Sequence, residues 1–266
     1  MTETDGSPED ARGVREVKSA ARTVELLELL AARPNSPAPL RELSDALGVP
    51  KSSLYALLRT LTARGWVLAD RTGTLYRLGS RAVLAGSTYL GADPYLGVVH
   101  PHLDDLGERV DETFHLSRLD GLDVVYLATS ESTQYLRSWS RVGRRLPAYS
   151  TSLGKALLAE RDGDDLERHL PPVLIPLTPY TLTDRGALAE DLRRTRERGY
   201  AIDSQENTLG LKCFGMALRH AEPPTYAVSS SMPLDRLTPE REVEIVTAMS
   251  AAREKIERSP MPGSGE

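Results

Sequence analysis

The chain is poor in aromatic residues, with two Trp, two Phe and ten Tyr among 266 residues. A core without many large rings has to be aliphatic, which favours a helix-rich fold over an all-β sandwich. There is one cysteine, Cys213, which excludes an internal disulfide and a cysteine-based zinc site. A reducing cytoplasm is the compartment expected of such a chain. No run reaches the roughly 18 apolar residues of a membrane span, and Met1 to Asp10 is acidic and polar, so neither a spanning helix nor a secretory signal is expected. The five histidines form no His-Glu-x-x-His pattern, and phosphate-binding glycine loops and Gly-x-Ser-x-Gly are missing too. What is present, 40% hydrophobic and 27% charged residues, is globular composition.

The net charge of −5 hides an asymmetry. Arg15 to Ser80 carries ten Lys plus Arg against six Asp plus Glu, whereas residues 81–266 carry 22 against 28. A small basic module precedes a larger acidic one. The expected division is an acidic tail over residues 1–14, a basic domain over 15–79, a linker helix over 80–93, an α+β domain over 94–258 and a Pro/Gly/Ser-rich tail over 259–266.

In the basic module the pattern predicts a helix from Ser19 to Ala32, with a stripe of Ala20, Val24, Leu27, Leu30 and Ala31. The proline-rich segment Pro34 to Pro39 ends it. A second helix is expected from Leu40 to Leu47, a break at Gly48-Val49-Pro50, a third helix from Lys51 to Arg64, and a hairpin with strands Trp66 to Ala69 and Thr74 to Leu78. On the third helix Leu54, Leu57, Leu58 and Leu61 share one face. Ser52, Tyr55, Ala56 and Arg59 share the opposite one, small, hydrogen-bonding and cationic, and suited to a major groove. Lys51 and Ser53 stand at the helix start, where side chains and free N–H groups meet phosphates. Arg71 is at the hairpin tip. A packing helix, a helix–turn–helix and a hairpin together make a winged helix-turn-helix, so double-stranded operator DNA is the expected partner.

The acidic module alternates. Strands are expected at Thr113 to Leu119, Val124 to Ala128, Gln134 to Ser138, Tyr200 to Asp203, Phe214 to Arg219 and Tyr226 to Ser231. Helices are expected from Asp93-Pro94 to Val110 and at Ser152 to Ala159, Asp164 to Leu170, Arg185 to Arg198 and Thr238 to Arg258. This order fits an α+β domain better than a doubly wound parallel sheet. Ser152-Leu153-Gly154-Lys155 matches a Ser-x-x-Lys nucleophile motif, but the companion elements of that chemistry are missing. His100 and His102 diverge by about 200° on a helix and make a poor metal pair. No cofactor, metal or catalytic residue is expected. As a binding site the same region coheres. A helix N-terminus at Ser152 suits a carboxylate, although Ser152 acting only as a cap is an equal reading. Asp203 at a strand end can accept from a ligand hydroxyl, or stand solvated. Ser229 and Ser231 alternate on one strand and face one side, towards a ligand or towards water.

From Ser19 to Gly79, with LRELSDALGVPKSSLYALLRTLTARGWVLAD at its centre, the sequence resembles the DNA-binding domain of the IclR family of bacterial transcriptional regulators. LPAYSTSLGKALLAE, LTDRGALAEDLRRTRERGYAIDSQEN, GLKCFGMAL and YAVSSSMP resemble, in order, blocks of that family's effector-binding domain. The resemblance implies a GAF-like α+β domain in which a curved antiparallel sheet makes a small-molecule pocket. It also implies a cytoplasmic, ligand-responsive regulator, here expected to be a repressor, that binds its operator as a homodimer or homotetramer. The implied effector is a small organic acid held by Ser152 and Leu153, Asp203, Cys213, Ser229 and Ser231. Cys213 by itself reads equally as a buried apolar residue. Leu153 and Met232 stand where many members carry smaller residues. The alternative from another class is an enzyme or small-molecule sensor with an appended DNA-binding domain.

Overall fold

A computed structural model describes residues 16–33, 36–136 and 142–260. The expected tail over residues 1–14 lies outside the described residues, as does most of the C-terminal one. The chain divides into two units between Tyr89 and Leu90.

The first unit contains α1 (Lys18–Ala31), β1 (Ala38–Pro39), α2 (Leu40–Leu47), α3 (Lys51–Ala63), β2 (Val67–Ala69) and β3 (Leu75–Leu78), followed by α4 (Arg81–Ala92), within which the division falls. Leu26 and Leu30 of α1, Leu43 of α2 and Leu54, Leu58 and Leu61 of α3 close on Val67 and Tyr76 of the hairpin. The buried row of α1 differs from the expected one. Leu26 and Leu30 are buried, Leu27 is half-buried, and Ala20, Val24 and Ala31 are exposed. Two apolar rows overlap on this helix, and only the position of α2 and the hairpin selects between them. α2 ends at Gly48, whose φ of +61° is the left-handed value that suits glycine, and Ser44 Oγ donates to the Val49 carbonyl at 2.6 Å to hold the turn into α3. β1 was not expected in a proline-rich segment. It lies at the sheet edge, in the order β1-β3-β2, where proline costs no ladder bond.

The second unit contains α5 (Pro94–Val110), β4 (Thr113–Asp120), β5 (Asp123–Ser130), β6 (Arg145–Pro147), α6 (Ser152–Leu158), α7 (Gly163–Glu167), α8 (Arg185–Arg198), β7 (Ala201–Ser204), β8 (Leu211–Leu218), β9 (Tyr226–Pro233) and α9 (Pro239–Arg258). Its six-stranded sheet is antiparallel throughout, in the order β6-β5-β4-β9-β8-β7. Alternation divides its side chains between two faces. Phe114, Leu116, Phe214, Met216 and Val228 meet Val99, Leu103 and Leu106 of α5 and Ile245 and Met249 of α9. Val124, Ala201, Ala217 and Ala227 on the other face meet Leu153, Ala156 and Leu157 of α6 and Leu188 of α8.

The expected strand at Gln134 to Ser138 is not formed at residues 134–136, and Arg137 and Ser138 lie outside the described residues. Asp111 supplies the reason. Its carboxylate accepts the Thr133 N–H at 2.8 Å, and Ser132 Oγ, which donates to the Asp111 carbonyl at 2.9 Å, accepts the Gln134 N–H at 3.1 Å, so side chains take backbone donors that a ladder would have used. β6, three residues long, takes the sheet edge instead.

Candidate functional site

The candidate residues fall on two surfaces, one in each unit. In the first unit, Lys51, Ser52, Ser53, Tyr55, Ala56 and Arg59 are all exposed along α3, while Leu54, Leu58 and Leu61 are buried beneath them. Leu57, expected on the buried face, is half-buried. No acidic residue occurs from Lys51 to Ala63, and the capping residue Pro50 makes no side-chain cap, so the first N–H groups of α3 point outward without an acidic neighbour. Arg71 is exposed in the turn between β2 and β3. Asp70 shapes that turn, its carboxylate accepting the N–H groups of Thr74 at 2.8 Å and Leu75 at 2.9 Å and the Thr72 hydroxyl at 2.5 Å. These bonds hold its carboxyl down at about 2.

In the second unit the effector candidates converge on the sheet face covered by α6. Asp203 of β7 lies opposite Cys213 of β8, which lies opposite Ser231 of β9, which lies opposite Thr113 of β4. The next row on that face runs Ala201, Gly215, Ser229, His115 and Thr129. Gly215 has a steric role. A Cβ there would run into the backbone of Ser152 and Leu153, so glycine lets the start of α6 rest on the sheet beside Ser229 and Cys213.

Asp203, Ser229 and Ser231 are buried, which removes the solvated readings of all three. Cys213 is buried too, and its Sγ lies 3.3 Å from Ser231 Oγ. Ser152 does not cap α6. Thr151 does, its Oγ1 accepting the Gly154 N–H at 3.0 Å, and Ser152 is the first residue of the helix. Lys155 of the Ser-x-x-Lys motif is buried with Nζ 2.5 Å from Glu206 and 2.9 Å from Asp191, closing an ion-pair network that ties α6 to α8 and to the turn after β7. That turn also fixes Asp203, whose Oδ1 accepts the Glu206 N–H at 2.7 Å.

The electrostatics follow from burial. Asp203 is pushed up to about 7 by desolvation and by the Glu206 carboxylate beside it, so it serves both as hydrogen-bond donor and as acceptor around neutral pH. Burial likewise raises the Cys213 thiol, which behaves as a neutral group rather than a nucleophile. Sequence reasoning missed Thr113, His115, Tyr126 and Thr129. His115 Nδ1 lies 3.1 Å from Thr129 Oγ1, and its ring meets Tyr126 edge-on with centroids 5.0 Å apart. Burial pushes the imidazole down to about 3, with the Arg144 cation adding to the effect, so it is neutral. The alternation Thr113-x-His115 was visible in the sequence, but its place opposite Ser229 and Ser231 needed the strand pairing.

Comparison with known proteins matches both units to known domains. The helix-turn-helix domain characteristic of IclR matches residues 19–71, and the C-terminal domain of bacterial IclR regulators matches residues 88–258. The chain is 33% identical over 247 residues to the transcriptional repressor IclR of Escherichia coli K12, covering 90% of this chain and 89% of that one. It is 33% identical over 219 residues to the transcriptional regulator KdgR of the same organism, covering 82% and 83%. The crystal structure of Thermotoga maritima IclR superposes with a TM-score of 0.69 at 30% identity, over 91% of this chain and 98% of that one. An IclR homologue from Microbacterium hydrocarbonoxydans complexed with 4-hydroxybenzoate shares the fold at 22% identity, with a TM-score of 0.71 over 91% and 100%. The chain therefore belongs to the IclR family of transcriptional regulators, with an N-terminal helix-turn-helix domain and a C-terminal α+β effector domain built on a curled sheet.

Proposed function

We propose that the protein is a repressor that binds operator DNA as a homodimer or a pair of homodimers, and that a small organic acid in its C-terminal domain changes its DNA affinity. The observation that carries this reading is the pair of polar rows buried on the α6-covered sheet face, Asp203-Cys213-Ser231-Thr113 and Ser229-His115-Thr129. Hydroxyls, a near-neutral carboxyl and a neutral imidazole grouped there suit an oxygen-rich ligand. An apolar effector would leave their remaining donors and acceptors, those not already paired with one another, without partners, at about 1 to 3 kcal/mol for each such group. The backbone N–H groups of Ser152 and Leu153 add donors at the edge of the same site. Contacts from α3 and from Arg71 in the wing fit operator binding, Arg59 reading a base and Lys51 a phosphate. The protein acts by binding, without turnover.

The test is an operator titration with and without the acid selected from a thermal-shift screen of small carboxylates. Arg59→Ala should weaken the specific site by about 1 to 3 kcal/mol, and Lys51→Ala should weaken all sequences alike and lower the salt slope by about one. Asp203→Ala combined with Ser229→Ala should abolish the response to the acid and leave DNA binding by the ligand-free protein intact. An equally strong response in this double variant removes both residues from the site.

A further inference from the structure

Beyond the serine row the same sheet face continues past His115 and Thr129 onto Tyr126 of β5 and to Arg144 beside β6, two residues that the reading above leaves without a ligand role. His115 is 1% exposed, and Tyr126, whose ring meets it edge-on, is 7% exposed. The buried phenol is held well above its ordinary value, chiefly by desolvation, with smaller effects from Cys213, Arg144 and Asp203.

Arg144 reaches this face through a bulge. Gly143, at φ of +84°, donates its N–H to the Tyr126 carbonyl at 2.7 Å, while the Tyr126 N–H donates to the Arg144 carbonyl at 3.0 Å. Two residues thus oppose one, and the glycine in the left-handed region places the Arg144 side chain on the face of Tyr126. Its neighbour Arg145 belongs to the alternate position and pairs with Asp120 and Asp123. Arg144 forms no ion pair among the described residues, and its charge bears on both His115 and Tyr126. Lys155, by contrast, is matched by Asp191 and Glu206. Arg144 is exposed, so water solvates its charge in the free protein, and with no carboxylate of the described residues paired to it the guanidinium is open to an anion brought in by a ligand.

We propose that His115, Thr129, Tyr126 and Arg144 form a second subsite, and that the effector is a small dicarboxylic acid with one carboxylate at Ser229, Ser231 and Cys213 and the other between Tyr126 and Arg144. This rests on the effector reading of the preceding section. The near-neutral Asp203 can donate to the first carboxylate instead of repelling it.

The experiment is calorimetric titration of the full chain with straight-chain diacids from malonate to adipate, each beside the monoacid of equal carbon number. At least one diacid should bind about tenfold or more tightly than its monoacid, the worth of one charge-assisted pair. Arg144→Gln should bring that ratio to about one while leaving the monoacid affinity unchanged, and Arg144→Lys should restore part of it. Tyr126→Phe should lower the ratio without removing it. Thermal melts of each variant establish that the fold is kept. Diacids binding no better than monoacids, or a ratio unaltered in Arg144→Gln, overturns the second subsite and leaves the first standing. Acids of neither series binding the wild type would overturn the effector reading itself.

Discussion

At the scale of single residues, two buried titratable groups give opposite pH slopes. Asp203 rises from its ordinary 3.8 to about 7 through burial and the nearby Glu206. Between those values the folded chain holds a proton that the unfolded chain has released. The stabilisation that Asp203 contributes is therefore complete below about pH 4 and is lost as pH rises through about 7. His115 falls from 6.5 to about 3, mainly through burial. Across that window the unfolded chain holds the extra proton, so stability is lost as pH falls. The slopes oppose each other between about pH 4 and 6.5 and flatten the wild-type profile there. Asp203→Asn can still accept the Glu206 N–H, and it should gain stability relative to wild type most strongly near pH 8 and least near pH 4. His115→Gln should show the reverse, with its largest relative gain on the acid side. Each difference should amount to a few kcal/mol across its window. Chemical denaturation in steps from pH 4 to 8 checks both, and a difference that is constant with pH in either variant would refute that group's titration. Asp203 was legible in the sequence as a strand-end carboxylate, but its perturbation was not, because the Glu206 carboxylate and the covering helix α6 reach it through tertiary packing.

At the scale of elements, α6 depends on a glycine more than fifty residues away in sequence. Its start rests on β8 at Gly215, where a side chain would collide with the backbone of Ser152 and Leu153. Neither backbone can give way cheaply, since Thr151 caps α6 and Lys155 is tied to Asp191 and Glu206. Gly215→Ala should cost about 1 to 3 kcal/mol through overpacking and weaken effector binding, because it lifts α6 from the serine row. A denaturant midpoint measured with a titration of the identified acid checks this, and unchanged values in both would refute the close approach. The elements themselves were largely readable. α8 begins at Arg185 after the capping Asp184 and ends before Gly199 at φ of +81°, as its start and stop residues indicate. Failures came where side chains competed for backbone bonds, as at Gln134, or where two apolar rows overlapped, as on α1.

At the scale of the whole molecule, regulation requires that the effector and the operator alter each other's affinity by the same factor. A single recognition helix spans few base pairs, so useful specificity calls for paired copies of the chain. No residue of α4 is buried, and Val83 and Leu84 are 70% and 61% exposed, an apolar surface suited to pairing with a second copy. Val83→Glu combined with Leu84→Glu should shift the protein towards monomer and weaken operator binding at least about tenfold, without lowering affinity for the effector. Light scattering at micromolar concentration alongside operator titration checks this. A wild type that is monomeric at full operator affinity, or a double variant that remains an oligomer, would count against α4 as the contact.

The sequence by itself determined what depends on neighbours along the chain. It specified the helix-turn-helix with its break at Gly48, the polar face of α3 opposite its leucines, the basic-then-acidic order of the units and most helix ends, because periodicity, capping and turn chemistry act over a few residues. Only the tertiary structure decided what depends on register. Ser229 faces His115, Cys213 lies between Asp203 and Ser231, and Arg144 reaches the face of Tyr126, through strand pairings among residues 113 to 231. A slip of one residue would send each of those side chains to the opposite face of the sheet, and no local signal fixes the pairing of β4 with β9, which lie far apart in the chain.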